Sequence, residues 1–258
     1  ATVTAECCAF VFVLIYTLLN HNKDVNLLHH PEGYAIRKWL FKLPVHHTRS
    51  LIKLGGPIAL QLVLSLGIWT AFYEFVESMG ESELQASFIV RNMYSLVYIS
   101  VGGFSTVTKT YISGLIAERR QSELLTVMKR LMLLNLAGIV ILSHGFWLYP
   151  VWIASRFTSD PLIIQQAVDT LVIVLPAMLI FSCTSIMLAT VEGSGNTIAG
   201  FVVEVATAIV YLSSAYVMIY HWHWPIHLVW TADIVYFIAL GFFSFLFLWN
   251  GKWKWKEV

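Results

Sequence analysis

Apolar residues run along this chain in long blocks separated by short polar turns. The block LIKLGGPIALQLVLSLGIWTAFYEFV, residues 51–76, sets the pattern, with its charges confined to Lys53 near one end and Glu74 near the other. As a helix it reaches ~39 Å, against about 30 Å for the hydrocarbon core of a bilayer. Blocks of the same kind occupy residues 3–20, 84–116, 131–152, 162–190, 198–220 and 228–249. The runs are continuous and helix-length, not the ~10-residue alternating segments of a membrane β-barrel. The pattern therefore predicts an all-α polytopic membrane protein with seven transmembrane helices.

Local signals place the breaks. Pro57 inside the second span and Pro176 inside the fifth each remove a helix hydrogen bond. Ser82 with Gln85 reads as a capping box for the third helix. Asp160-Pro161 reads as an N-cap followed by proline in the first turn. The turn VEGSGNT, residues 191–197, separates the fifth and sixth spans, with Asn196 as the cap of the sixth. Residues 34–43, YAIRKWLFKL, mix basic and apolar positions and read as a helix lying on the membrane surface. The predicted organisation is a helix at 1–20, a cytoplasmic linker at 21–50, six spans at 51–250 and a tail at 251–258. Residue 1 already lies in a span, so the chain is expected to be a piece of a longer protein.

Composition agrees: 58% of residues are hydrophobic, 12% are charged and mean hydropathy is +0.72. The formal net charge of +1 gives no basis for nucleic-acid binding. Cys7, Cys8 and Cys183 lie in apolar runs without metal-ligand spacing. Numbering the spans and alternating sides puts Lys23, Arg37, Lys38, Lys42, Arg49, Lys53, Arg119, Arg120, Lys129, Arg130, Lys252, Lys254 and Lys256 on one face and only Arg156 on the other. The basic face is the cytoplasm by the positive-inside rule, which puts the C-terminus inside. Trp222, Trp224 and Trp230 fall at the outer interface and Trp249, Trp253 and Trp255 at the inner one, as an aromatic belt.

Six ionisable residues fall within spans: Glu74, Arg91, Lys109, Asp169, Glu204 and Asp233. Such residues are costly in a membrane and point to function. Distances from the span ends suggest two levels, an outer one where Arg91 meets Asp169 or Asp233 and an inner one where Lys109 meets Glu204. Each alone could be a structural ion pair; together they suggest a water-filled cavity. Gln61, Ser65, Thr70, Asn92, Ser105, Thr106 and Thr108 add hydrogen-bonding groups, any one of which could equally join helices. Glu74 and Glu77 read as solvated helix ends, and His221, His223 and His227 as an interfacial loop. No nucleophile constellation, phosphate-binding loop or cofactor motif is present, so an enzyme is not expected.

The opening LGGPIALQ, the segment MGESELQASFIVRNMYSL, the turn VEGSGNT and the opening IHLVW resemble the C-terminal half of a multidrug and toxic compound extrusion (MATE) transporter over about residues 45–250. The resemblance implies a twelve-helix antiporter of two six-helix lobes, with the N-terminal lobe missing here. It implies export of small amphiphilic or cationic compounds, with Na⁺ or H⁺ as the coupling ion and no other cofactor, in the plasma membrane (the bacterial inner membrane). Many bacterial members carry a Glu shortly after the P-I-A-L opening, where this chain has Ser65. Many also carry an Asp before the G-x-G-N-T turn, where it has Phe181, Ser182, Cys183 and Thr184. Glu204, Asp233 or Asp169 then serves instead, or coupling resides in the missing lobe. The candidate cavity residues are Arg91, Lys109, Asp169, Glu204, Asp233, Gln61 and Asn92. The alternatives are a lipid-linked oligosaccharide flippase of the same superfamily, for which Arg91 and Lys109 would suit a pyrophosphate, and a non-transporting membrane scaffold.

Overall fold

The computed structural model describes residues 7–8, 10–12 and 45–251. Contacts divide the chain into two units, Ala1–Leu51 and Ile52–Val258. In the first unit, the described residues of the expected span at 3–20 are helical. The surface helix at 34–43, most of the linker and the tail with Trp253 and Trp255 lie outside the described residues.

Six long helices follow: α1 (Val45–Glu77), α2 (Glu81–Ala117), α3 (Leu124–Leu148), α4 (Pro161–Gly193), α5 (Thr197–Tyr216) and α6 (Thr231–Trp249). Short helices at Pro150–Ala154 and Ile226–Val229 and a π-helical turn at Val217–His221 join them, and no strand occurs among the described residues. Among the described residues, five segments are long and apolar enough to cross a membrane: Leu51–Glu77, Gln121–Leu148, Pro161–Gly193, Thr197–His221 and Ile226–Trp249. The expected third span, inside α2, falls outside that set despite its 37 residues. Its many hydroxyls lower its hydropathy. They are accommodated by folding back onto their own helix: Thr106 Oγ1 donates to Gly102 O at 2.9 Å and Thr108 Oγ1 to Phe104 O at 2.7 Å.

The most central helix is α4. It packs against α2, α3, α5 and α6, and 56% of its most apolar stretch is buried, against 11% for α1. Burial on all sides suits its uniformly apolar sequence. Asp160 caps it as the sequence predicts, accepting from Leu162 N at 2.8 Å with Pro161 in the first turn. The helix runs on to Gly193, three residues past the expected end, so much of VEGSGNT is helix.

Two local expectations are corrected. The cap of α2 is Gly80, at φ 149°, a conformation that side-chain-bearing residues rarely adopt; Ser82 lies inside the helix and donates to Glu83 Oε2 at 2.8 Å. Trp230 belongs to the core and not to the outer belt. It is fully buried, and its Nε1 donates to Ser87 Oγ at 3.2 Å. Burying that large ring under α2 outweighs leaving it at an interface, because its one polar atom finds a partner.

A buried amide ties three helices together. Asn135 on α3 donates from Nδ2 to Ser182 O on α4 at 2.9 Å and accepts from Ser100 Oγ on α2 at 3.2 Å. Beside it Gly138 lets α2 approach, since a Cβ there would meet Ser100 Oγ at 2.5 Å. Replacing Asn135 by Leu should lower unfolding free energy in detergent by about 1–2 kcal/mol, measured by denaturant titration of the full-length protein. An unchanged midpoint would show that the amide is not a tie.

Candidate functional site

A cavity of about 290 Å³ opens between α1, α2, α4, α5 and α6. Its size is at the lower end for small-molecule pockets. It exists because α1 keeps its backbone away from the bundle and reaches it through rings. Trp69 lies 6.0 Å from Tyr94 and 6.4 Å from Trp230, and Phe72 lies 5.4 Å from Trp230 and 5.6 Å from Tyr211, all between ring centroids. Tyr98, Phe181 and Phe237 carry the aromatic lining across to α2, α4 and α6, with Phe181 and Phe237 stacked at 4.3 Å.

Three carboxylates and one lysine line this space: Glu192, Glu204, Asp233 and Lys109. Lys109 Nζ sits 2.6 Å from Glu192 Oε2, with the lysine side chain 38% exposed and the glutamate 3%. Two close approaches make room for this pair. A Cβ on Gly193 would lie 2.9 Å from Lys109 Cα and O, and one on Gly200 would lie 2.8 Å from Glu192 Cγ. Glu204 on α5 accepts hydrogen bonds from Ser65 on α1, at 3.1 Å, and from the Tyr236 hydroxyl on α6. Asp233, in the first turn of α6, is 3% exposed, and its Oδ2 receives no hydrogen bond. With one acid engaged by the lysine, two carboxylates remain to set the cavity's charge.

Of the residues singled out from sequence, Gln61, Lys109, Glu204 and Asp233 meet in this cavity. The other three stand elsewhere. Asn92 is exposed and donates to Phe88 O of its own helix at 2.9 Å. Asp169 accepts from Gln165 Nε2, one turn away, at 2.8 Å. The Arg91 guanidinium lies over the rings of Tyr73, at 5.1 Å, and Trp69, at 5.8 Å, a cation–π arrangement.

The expected partners are therefore corrected. Lys109 pairs with Glu192 rather than Glu204, and Arg91 has aromatic partners rather than Asp169 or Asp233. The physical reason lies in α4. Its last turn carries Glu192 inward beside α2, whereas a non-helical VEGSGNT turn would leave that acid in water. Sequence reasoning missed Glu192, Trp69, Tyr211 and Tyr236 as lining residues. For Glu192 the available signal was the absence of a breaker between Pro176 and Gly193, since a single glycine is tolerated in a helix.

The MatE family model matches residues 57–217. The chain belongs to the MATE family. With five segments long and apolar enough to cross a membrane among its described residues, it is a multi-pass membrane protein. It is 23% identical over 229 residues to the probable multidrug resistance protein NorM of Thermotoga maritima, covering 88% of this chain and 49% of that relative. Among solved structures, a MATE protein in complex with MaD3S superposes with a TM-score of 0.71 at 13% identity, covering 79% of this chain and 46% of that one. A MOP superfamily transporter of Pyrococcus furiosus, for which reversed pocket polarity suggests a different function, gives 0.70 at 13% identity, covering 79% and 45%. At those identities the likeness to solved structures concerns the fold. This MATE chain spans about half the length of the relatives it matches.

Lys109→Met strands a buried acid and should cost about 1–3 kcal/mol, less than a fully buried pair because the lysine is partly solvated. Adding Glu192→Gln should recover most of that loss in thermal denaturation; an additive double mutant would show that the two are uncoupled. Gly193→Ala presses on the Lys109 backbone, which cannot rotate away, and should cost about 1–3 kcal/mol in the same measurement.

Proposed function

We propose that the full protein exports small amphiphilic organic cations in exchange for Na⁺ or H⁺, and that this chain supplies its C-terminal six-helix lobe with the helix and linker before it. The observation that carries this reading is the acidic, aromatic cavity. Trp69, Tyr98, Phe181, Tyr211, Tyr236 and Phe237 offer π faces to an apolar cation, and Glu204 and Asp233 offer negative charge. The distribution of Lys and Arg supports a cytoplasmic C-terminus, and the family resemblance supports the bacterial inner membrane as its setting.

Exchange follows if the two ligands compete for that charge. A cation or proton on a carboxylate removes the attraction that holds a cationic substrate, and the substrate excludes the ion in turn. Each ligand shifts the protein between access states only by its differential affinity for them. The polarity favours this reading over a lipid-linked oligosaccharide flippase: Lys109, the one basic lining residue among the described residues, is engaged by Glu192. A pyrophosphate would face carboxylates. A scaffold does not require two unpaired-by-lysine acids around an open space.

Cells expressing the full-length protein should extrude ethidium faster than empty cells. Glu204→Gln and Asp233→Asn should each slow initial efflux by about tenfold or more at equal membrane abundance, equivalent to about 1.4 kcal/mol. Full-rate efflux from both variants would place coupling outside this lobe. No efflux from the unmutated protein would favour the flippase.

A further inference from the structure

We infer that Lys129 and Arg130, near the start of α3, seat the phosphate of an anionic glycerophospholipid whose acyl chain lies along the outer side of that helix. The inference needs only that the chain sits in a bilayer and does not depend on what it transports. Between residues 118 and 130 four basic side chains stand against two acids. Arg120 takes both acids. Its Nε and Nη2 each lie 2.8 Å from an oxygen of Glu123, and its Nη1 lies 2.9 Å from Glu118 Oε2. Arg119, Lys129 and Arg130 are exposed and have no ion pair among the described residues. The positive charge at this end of α3 therefore has no counter-charge among them.

The apolar side of α3 fixes the depth of the pair. Leu133, Leu134, Val140, Ile141 and Leu148 are exposed and recur at helical spacing on one side, and Lys129 and Arg130 project from that same side. The opposite side carries Leu124, Leu131, Asn135 and Ile139, all buried, where α3 packs on α2 and α4. From Arg130 to Leu148 the helix runs ~27 Å, close to the ~30 Å of a hydrocarbon core. Tyr149 and Trp152, exposed just past Leu148, mark one interface, so the basic pair stands at the other. It does not stand beyond that interface in open water, since Leu125, one turn further out, is exposed as well. In this layer the stems of Lys and Arg cover apolar surface while their charged ends reach headgroup oxygens. A phosphodiester supplies the missing negative charge, and a guanidinium can bond two of its oxygens at once.

The local backbone is held in place before any lipid arrives. Leu124 is buried in a cluster with Ile112, Leu115 and Ile116, and Arg120 N donates to Leu115 O at 2.8 Å. Arg119 sits in this turn at φ 59°, and its charge adds to the field at the same end. Little ordering of the backbone is then needed on binding. Charge also selects the occupant. A second copy of the chain inserted in the same direction would bring its own Lys129 and Arg130 to the same depth, and like charges would meet. A lipid phosphate meets them with the opposite charge.

The test places the photocrosslinker p-benzoylphenylalanine at position 133 of the full-length protein, one turn from Lys129. The protein is reconstituted in vesicles of equal parts phosphatidylglycerol and phosphatidylcholine, irradiated, and its lipid adducts are counted by mass spectrometry. Phosphatidylglycerol adducts should exceed phosphatidylcholine adducts by about fivefold or more. Lys129→Gln combined with Arg130→Gln should bring the two within about twofold. Lys129→Arg combined with Arg130→Lys, which keeps both charges, should retain the preference and so separate loss of charge from loss of fold. Equal capture of the two lipids by the protein with its native basic pair would overturn the assignment. So would a preference that survives both glutamines, a preference lost in the charge-conserving variant, or adducts to protein in place of lipid.

Discussion

In a bilayer core water cannot rescue a polar group, so each one must find its partner inside the protein. That constraint organises this chain. Asn135 satisfies it by joining three helices, and Trp230 by turning its indole nitrogen to Ser87. Lys109 and Glu192 satisfy it with each other, at a point where two glycines bring the backbone close enough to enclose the acid. The polar groups of α2 that have no neighbour to address bond to their own carbonyls. The rule is not met everywhere: Asp233 Oδ2 beside the cavity, and Ser143 and Ser244 away from it, have no hydrogen-bond partner among the described residues.

The cavity follows from the same economy of contacts. Small residues let α2, α3 and α4 lie against one another. On α1 the facing positions are Trp69, Phe72 and Tyr73, whose rings hold its backbone off. A helix held at ring distance cannot close the space behind its smaller side chains, and Gln61 and Ser65 open onto that space. A hydrogen bond across it, from Ser65 to Glu204, meets an acid that α6 also holds through Tyr236. Hydrophobic packing thus creates the opening, and a single carboxylate bridges it.

Much of this was legible in sequence. The long apolar blocks gave the helices from residue 51 onward, because backbone satisfaction leaves a membrane-buried segment no other regular choice. Asp160-Pro161 marked the start of α4 for local reasons that tertiary packing does not alter. Gln61, Lys109, Glu204 and Asp233 stood out as polar residues in apolar runs, and they share one cavity. The partners were not legible. Depth along a span says how far a residue lies from an interface but not which way it faces, and Arg91 and Asp169 failed to meet for that reason. Glu192 was hidden because a Gly-rich segment reads as a turn until the helix before it is seen to continue. Trp230 was misplaced because interface and core both favour tryptophan, and only Ser87 across the helix pair decides between them.

The two free acids show why composition alone cannot assign chemistry. Glu204 and Asp233 are equally buried and line the same space, and a reading by residue type would treat them alike. Their surroundings do not. Glu204 has hydroxyl donors from two other helices, so ionised or protonated it has fixed geometry and something to hold. Asp233 stands at a helix start with Tyr211 beside it and one carboxylate oxygen, Oδ2, without a donor. A donor-rich acid resists exchange because a new ligand must displace bonds already made. A donor-poor acid such as Asp233 is held by fewer bonds, and its position is less fixed by its neighbours. The better-satisfied acid is therefore suited to keeping α1, α5 and α6 in register.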